Sequence, residues 1–160
     1  MSARDWDRRW MSLAQHVAEW SKDRSRKIGC VIVDDRQVLV SLGWNGFPRG
    51  INDDIDYRHG KPVKYLWTEH AERNAIFNAA AKGVSTFGCT IYLPWFPCPD
   101  CARGIIQAGI TDVVGVKSDP SDPQWGDMME LARAMLLEAG VKIRFIDWIE
   151  APKAASAAAN

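Results

Sequence analysis

The chain has 160 residues, with twenty basic and twenty acidic side chains and a formal net charge of zero. That balance excludes a global field steering the protein toward a polyanion or a membrane surface, while a local basic patch able to hold one phosphate stays open. Hydrophobic residues at 47% and charged residues at 25% are ordinary for a globular chain that buries a core without staples. One domain over residues 1–150 is expected, followed by a flexible Ala-rich tail over 151–160. The N-terminus is charged and lacks an apolar h-region, and no run of about 18 apolar residues occurs, so neither a secretory signal nor a membrane span is expected. With four cysteines, two of them at metal spacing, the expected setting is cytoplasmic.

Trp6, Trp10, Leu13, Val17 and Trp20 follow helical spacing and predict an amphipathic first helix ending near Ser21. Residues 28–33 and 38–44 are β-rich runs separated by Asp34-Asp35-Arg36-Gln37, which predicts a hairpin. Residues 45–68 read as a long irregular stretch, and its length inside a compact domain points to function. Thr68 is the expected cap of a helix over about 69–82, ended by Gly83. A short strand over 89–93 follows, then a helix over about 98–107 introduced by Pro97 and closed by Gly109. Residues 111–117 predict a strand, 127–139 a helix stopped by Gly140, and 141–148 the last strand. The order α-β-β-α-β-α-β-α-β predicts an α/β fold, a five-stranded sheet with helices on its faces. A helix between the last two strands makes them parallel. Cys30 and Cys89, inside apolar runs, read as buried thiols, and the eight tryptophans as packing residues.

His70, Glu72, Cys98 and Cys101 carry the chemistry. Cys98 and Cys101 are three apart, so on one helical turn their sulfurs share a face. They fall in a first turn, where unpaired N–H groups and the helix dipole stabilise thiolates. His70 opens another helix. Three ligands leave the fourth position of a zinc tetrahedron for water, which is the pattern of a catalytic rather than a structural site. Zinc lowers the pKa of such a water to about 7. Glu72, two positions from His70, is spare as a ligand and suited to taking the water's proton and passing it on. A structural zinc knuckle gains nothing from a carboxylate there. His16 and His59 are not needed as ligands.

His70-Ala71-Glu72 with Pro97-Cys98-Pro99-Asp100-Cys101 resembles the signature of the zinc-dependent cytidine and deoxycytidylate deaminase family, over about residues 10 to 147. Three segments carry the likeness toward the deoxycytidylate branch. They are Ser21-Lys22-Asp23 leading into Ile28-Gly29-Cys30-Val31-Ile32-Val33, then Gly43-Trp44-Asn45-Gly46-Phe47-Pro48-Arg49-Gly50, then Arg73-Asn74-Ala75-Ile76 after the metal motif. The resemblance implies a three-layer, cytidine-deaminase-like fold with a mixed sheet of order 2-1-3-4-5. It implies Zn2+ on His70, Cys98 and Cys101, Glu72 as proton shuttle, Asn45 on the sugar and the Ala71 backbone on the base. It also implies a homo-oligomer that deaminates a free cytosine nucleotide, dCMP to dUMP and ammonia.

Two readings stand for Ser21, Lys22, Arg24, Arg26 and Lys27: contacts to a 5′-phosphate, or a solvated basic loop. Arg49 is a similar candidate, and Trp44 and Phe47 suit either base stacking or packing. Two departures from the family pattern bear on substrate choice. Ser118-Asp119-Pro120-Ser121-Asp122-Pro123-Gln124-Trp125 replaces a tyrosine- or histidine-bearing segment, and Glu69 replaces a small residue, adding a carboxylate that faces either pocket or solvent. The alternatives are deamination of a nucleoside, guanine or a pterin-like base, and an inactive zinc-binding homologue. Glu72 speaks against inactivity, and the neutral charge speaks against nucleic acid as a partner.

Overall fold

Every residue of β1 (Gly29–Val33) is buried, as an unbroken apolar run demands of a strand covered on both faces. The computed structural model describes residues 3–148 apart from 118, 120 and 124. The tail expected over 151–160 therefore lies outside the described residues. β1 pairs antiparallel with β2 (Leu39–Trp44) on one side and with β3 (Thr90–Leu93) on the other. β3 pairs parallel with β4 (Asp112–Gly115), and β4 parallel with β5 (Lys142–Phe145). The order is β2-β1-β3-β4-β5, as the family resemblance implies, with the parallel final pair expected from the intervening helix.

Helix α1 (Ala3–Ala18) covers one face of the sheet, against Val31, Val33, Tyr92 and Val114. Helices α3 (Ala71–Ala81), α4 (Pro99–Gln107) and α5 (Gly126–Glu138) cover the other, against Cys30, Ile32, Ile91, Leu93 and Val113. Alternate strand residues therefore serve opposite layers, and the fold has three. Cys30 and Cys89 are both buried thiols.

The details correct the sequence reading in three places. The buried stripe of α1 is Met11, Ala14, Val17 and Ala18, not the tryptophans. A Cβ on Gly29 would stand 2.1 Å from the Ala14 oxygen and 2.5 Å from the Ala18 nitrogen, so only small side chains fit where helix meets strand. Half-buried Trp10 packs at the margin of the cluster around Val31 and Tyr92 and stacks on Trp6, with ring centroids 5.8 Å apart. The helix ends at Ala18, and the Ser21 hydroxyl, drawn to the Asn45 carbonyl at 2.7 Å, leads the chain away. Within residues 45–68, Asp56–His59 forms a 3-10 turn and Lys64–Trp67 a short helix, α2. Thr68 closes α2, its N–H donating to the Lys64 carbonyl, and does not cap α3. Glu69 exchanges both backbone bonds with Gly46, which holds it extended, so His70 becomes the N-cap.

Helix α3 sits hard against the edge strand β2. A Cβ on Gly43 would lie 2.4 Å from the Ala75 nitrogen and 2.5 Å from the Ala71 oxygen. Asn74 and Asn78 donate to the Trp44 and Leu42 carbonyls at 2.8 and 2.7 Å, and the Ser41 hydroxyl donates to the Ala75 carbonyl at 2.7 Å. These bonds also blunt an exposed sheet edge. Gly43→Ala is expected to lower stability by roughly 1–3 kcal/mol or more in urea melts, because backbone must move to admit the methyl group. Gly46→Ala, whose Cβ would meet nothing within 4 Å, is the control expected to stay near the parent value.

Candidate metal centre and substrate cleft

Two helix N-termini converge on one point. His70 is the N-cap of α3, Cys98 is the N-cap of α4, and Pro99 follows at the first helical position with Cys101 in the same turn. The His70 Nδ1 atom lies 3.5 Å from the Cys98 Sγ and 3.4 Å from the Cys101 Sγ, and the three ligand atoms lie within 4.8 Å of one another. Zinc–sulfur and zinc–nitrogen bonds of ordinary length set a tetrahedral N–S edge of about 3.6 Å. The donor set fits zinc in both geometry and chemistry, with one position left over. Among the described residues no other group of His, Cys, Asp or Glu is arranged to hold a metal.

Glu72, in the first turn of α3, is 5% exposed. Burial raises its carboxyl pKa above the ordinary value, against the opposing charge of His70. Cys98 is pulled down to about 4, first by its hydrogen bond with Cys101 and, against burial, by His70. That bond and burial together push Cys101 up. His70 rises to about 9, chiefly through its hydrogen bond with Cys98. Thiolate, carboxylate and imidazole crowded at two helix N-termini form a locus built for a cation. Glu69 points away from this chemistry: it accepts the His70 backbone N–H at 3.0 Å and the Arg73 Nε–H at 2.6 Å.

His70, Glu72 and Cys98 line a cleft that is partly open to solvent. Ile28, Phe96 and Met129 wall it, and Arg26, Tyr65, Trp95 and Trp125 line it further. Asn45 and Ala71 line the same cleft. The Asn45 side chain accepts from the Ile28 N–H at 2.8 Å and donates to the Arg26 carbonyl at 2.9 Å. One amide hydrogen and one lone pair remain to it. The Ala71 backbone N–H belongs to the first turn of α3, whose donors the helix cannot satisfy itself.

The basic loop before β1 separates into parts. Arg26 lies over the Trp95 ring, 3.7 Å from its centroid, beside the metal cluster. Lys22 goes elsewhere, into an ion pair with Asp53 at 2.9 Å in a neighbouring cleft that also takes Trp44, Phe47 and His59. Ser21 is buried, its hydroxyl committed to the Asn45 carbonyl, and neither it nor Lys22 is among the residues lining the metal cleft. Arg24 pairs with Asp56, and Arg49 donates to Asn78. Of the segment that departs from the family pattern, Trp125 reaches the cleft, edge-on to Tyr65 at 6.3 Å. Residues 118, 120 and 124 of it lie outside the described residues. Lys64, Tyr65, Trp95 and Met129 were not singled out from the sequence. The signal for Trp95 was its place between a strand end and the first cysteine; α2 carried no such signal.

Residues 4–117 match the family described as the cytidine and deoxycytidylate deaminase zinc-binding region. An uncharacterized deaminase from the luxG 3′ region of Aliivibrio fischeri is 37% identical over 142 residues, covering 88% of this chain and 93% of that protein. The deoxycytidylate deaminase of Homo sapiens is 35% identical over 145 residues, covering 88% and 79%. Among solved structures, the dCMP deaminase of cyanophage S-TIM5 in complex with dCMP and dUMP superposes with a TM-score of 0.73 at 24% identity, over 91% of this chain and 99% of that one. That likeness is one of fold. The chain belongs to the cytidine and deoxycytidylate deaminase family, and its His70, Cys98 and Cys101 are positioned to hold a metal ion.

Two outcomes test the geometry. Cys98→Ala should reduce zinc, measured by elemental analysis, from about one per chain to under about 0.1, since two ligands hold the ion poorly. The second concerns Asp23 beside the cleft. Burial works to raise its pKa, but hydrogen bonds from Lys64 and from the Arg26 and Ser25 N–H groups outweigh it and hold it below the ordinary carboxylate value. Its contribution is therefore present above the unfolded value of about 3.9 and lost as pH falls through the folded one. Asp23→Asn should flatten the loss of melting temperature below about pH 4 relative to the parent chain.

Proposed function

We propose that this chain hydrolyses deoxycytidylate to deoxyuridylate and ammonia. The observation that carries the reading is a buried carboxylate, Glu72, in the cleft lined by His70 and Cys98. The human relative's identity as a deoxycytidylate deaminase supports the substrate.

His70, Cys98 and Cys101 would hold the zinc ion. When bound, its chemistry is a water acidic enough to yield hydroxide near neutral pH. Glu72 accepts a proton from the attacking water and delivers it to the ring nitrogen N3 as the new C–O bond forms at C4. A second proton, from the new C4 hydroxyl, moves through Glu72 to the amino group; the C4 carbonyl forms as the C–N bond breaks, and ammonia leaves. The burial that raises the Glu72 pKa suits a group that must both take and give a proton. Asn45 hydrogen-bonds the sugar with its remaining donor and acceptor, and the Ala71 backbone holds the base. Trp125 and Phe96 exclude water from the ring. The guanidinium of Arg26, lying over the Trp95 ring, meets the 5′-phosphate. Ser21 supports this arrangement from behind through Asn45, and Lys22 serves the neighbouring cleft.

Residues 1–150 act as one deaminase domain, a reading supported by a single sheet whose strands run from Gly29 to Phe145. Exposed Leu66, Phe87 and Tyr57 support a homo-oligomer, and the four free cysteines support a reducing, cytoplasmic setting. No helix among the described residues is long and apolar enough to cross a membrane.

Glu72→Gln should keep about one zinc per chain while turnover falls by about 10²-fold or more; turnover near the parent value would remove the shuttle role. Arg26→Ala should raise the KM for deoxycytidylate by about 10- to 100-fold, the worth of a charge-assisted contact, in a steady-state assay.

A further inference from the structure

Lys64 is unusual among the lysines: only 8% of it is exposed, although it sits on a four-residue helix in a long connection. Its ammonium donates to Asp23 Oδ1 at 2.9 Å, to Asp23 Oδ2 at 2.7 Å and to the Ser25 hydroxyl at 2.6 Å. An ammonium has three N–H donors, so none is left for a ligand. Asp23 in turn accepts the backbone N–H groups of Ser25 at 2.8 Å and Arg26 at 3.0 Å, and the Ser25 hydroxyl at 3.0 Å. The pair therefore grips the backbone at the residue that carries the guanidinium over Trp95.

An ion pair this well covered costs desolvation, and apolar replacement of such pairs is often neutral or stabilising. Stability alone therefore gives little reason for the pair, and its position supplies another. Both partners line the metal cleft, and both also line the neighbouring one, so the pair is the wall between them. We infer that Asp23 and Lys64 are positioning residues that hold Arg26 at the mouth of the cleft, so that the enzyme selects a phosphorylated nucleotide over its nucleoside. Lys64 acts through Asp23 and does not touch the phosphate. The inference rests on the reading of Arg26 given above.

The test is steady-state kinetics of the zinc-loaded chain on deoxycytidylate and deoxycytidine, with Lys64→Met, Arg26→Ala, and the two combined. Lys64→Met should lower the ratio of kcat/KM for deoxycytidylate to that for deoxycytidine by about tenfold, through KM, with kcat changed less than about twofold. In the Arg26→Ala background the same change should lower that ratio by less than about twofold, because the residue being positioned is gone. Because Lys64→Met leaves a buried unpaired carboxylate, Asp23→Asn/Lys64→Met, which removes both charges, is measured alongside. It should keep its zinc and show the same fall in ratio. Equal losses on both substrates would overturn the inference in favour of a general structural role. A full effect of Lys64→Met in the Arg26→Ala background would overturn it in favour of direct phosphate contact. If Arg26→Ala left the ratio unchanged, the phosphate role of Arg26 would fail first, and the positioning role with it.

Discussion

Helix α3 can lie as close to β2 as it does because residue 43 has no side chain. That contact sets the height of the helix on the sheet, and the bonds from Ser41, Asn74 and Asn78 set its position along the strand. The N-terminus of α3 is thereby brought to where α4 begins after β3. His70 caps one helix and Cys98 the other, so the metal ligands need no loop flexibility to meet. The Gly46–Glu69 bridge completes the device by keeping the chain extended up to the ligand. A shift of α3 by a methyl's width would be felt at His70, Ala71 and Glu72 together.

The electrostatics of the cluster follow from the same packing. Burial raises the Glu72 pKa, while the hydrogen bonds among Cys98, Cys101 and His70 pull Cys98 down and His70 up. Zinc binding would draw both thiols to thiolates and His70 to neutral imidazole, three ligands that leave the carboxylate free. Glu69, three positions before Glu72, is engaged by Arg73 and by the His70 backbone N–H rather than by the cluster. A second charged pair, Asp23 and Lys64, shapes the approach to the cluster.

The parts of the molecule legible in the sequence are those governed by local pattern. The apolar run of β1, the three-residue spacing of Cys98 and Cys101, and the glycines at 83, 109 and 140, all at positive φ, mark elements and their ends by local rules. The sheet order came through family resemblance, since pairing among strands is set by contacts remote in sequence. What escaped depends on such contacts. Thr68 has the chemistry of a cap, but the pairing of Glu69 with Gly46 delays the helix. The tryptophans of α1 obey helical spacing, yet Gly29 demands alanines at the contact. Lys22 and Arg26 are alike in sequence, and only Asp53 and Trp95 send them to different clefts. Lys64 gave no sign of burial because its partner lies 41 residues away.

A cleft lined by a zinc-ready cluster, the buried Glu72 and Arg26 serves a cytosine nucleotide. Turnover of deoxycytidylate, cytidylate, deoxycytidine and guanine by the zinc-loaded chain, followed by ammonia release, tests it most directly. The account predicts that deoxycytidylate has the highest kcat/KM, exceeding deoxycytidine by about tenfold or more. Deoxycytidine turned over as well as deoxycytidylate, or guanine preferred to both, would contradict it.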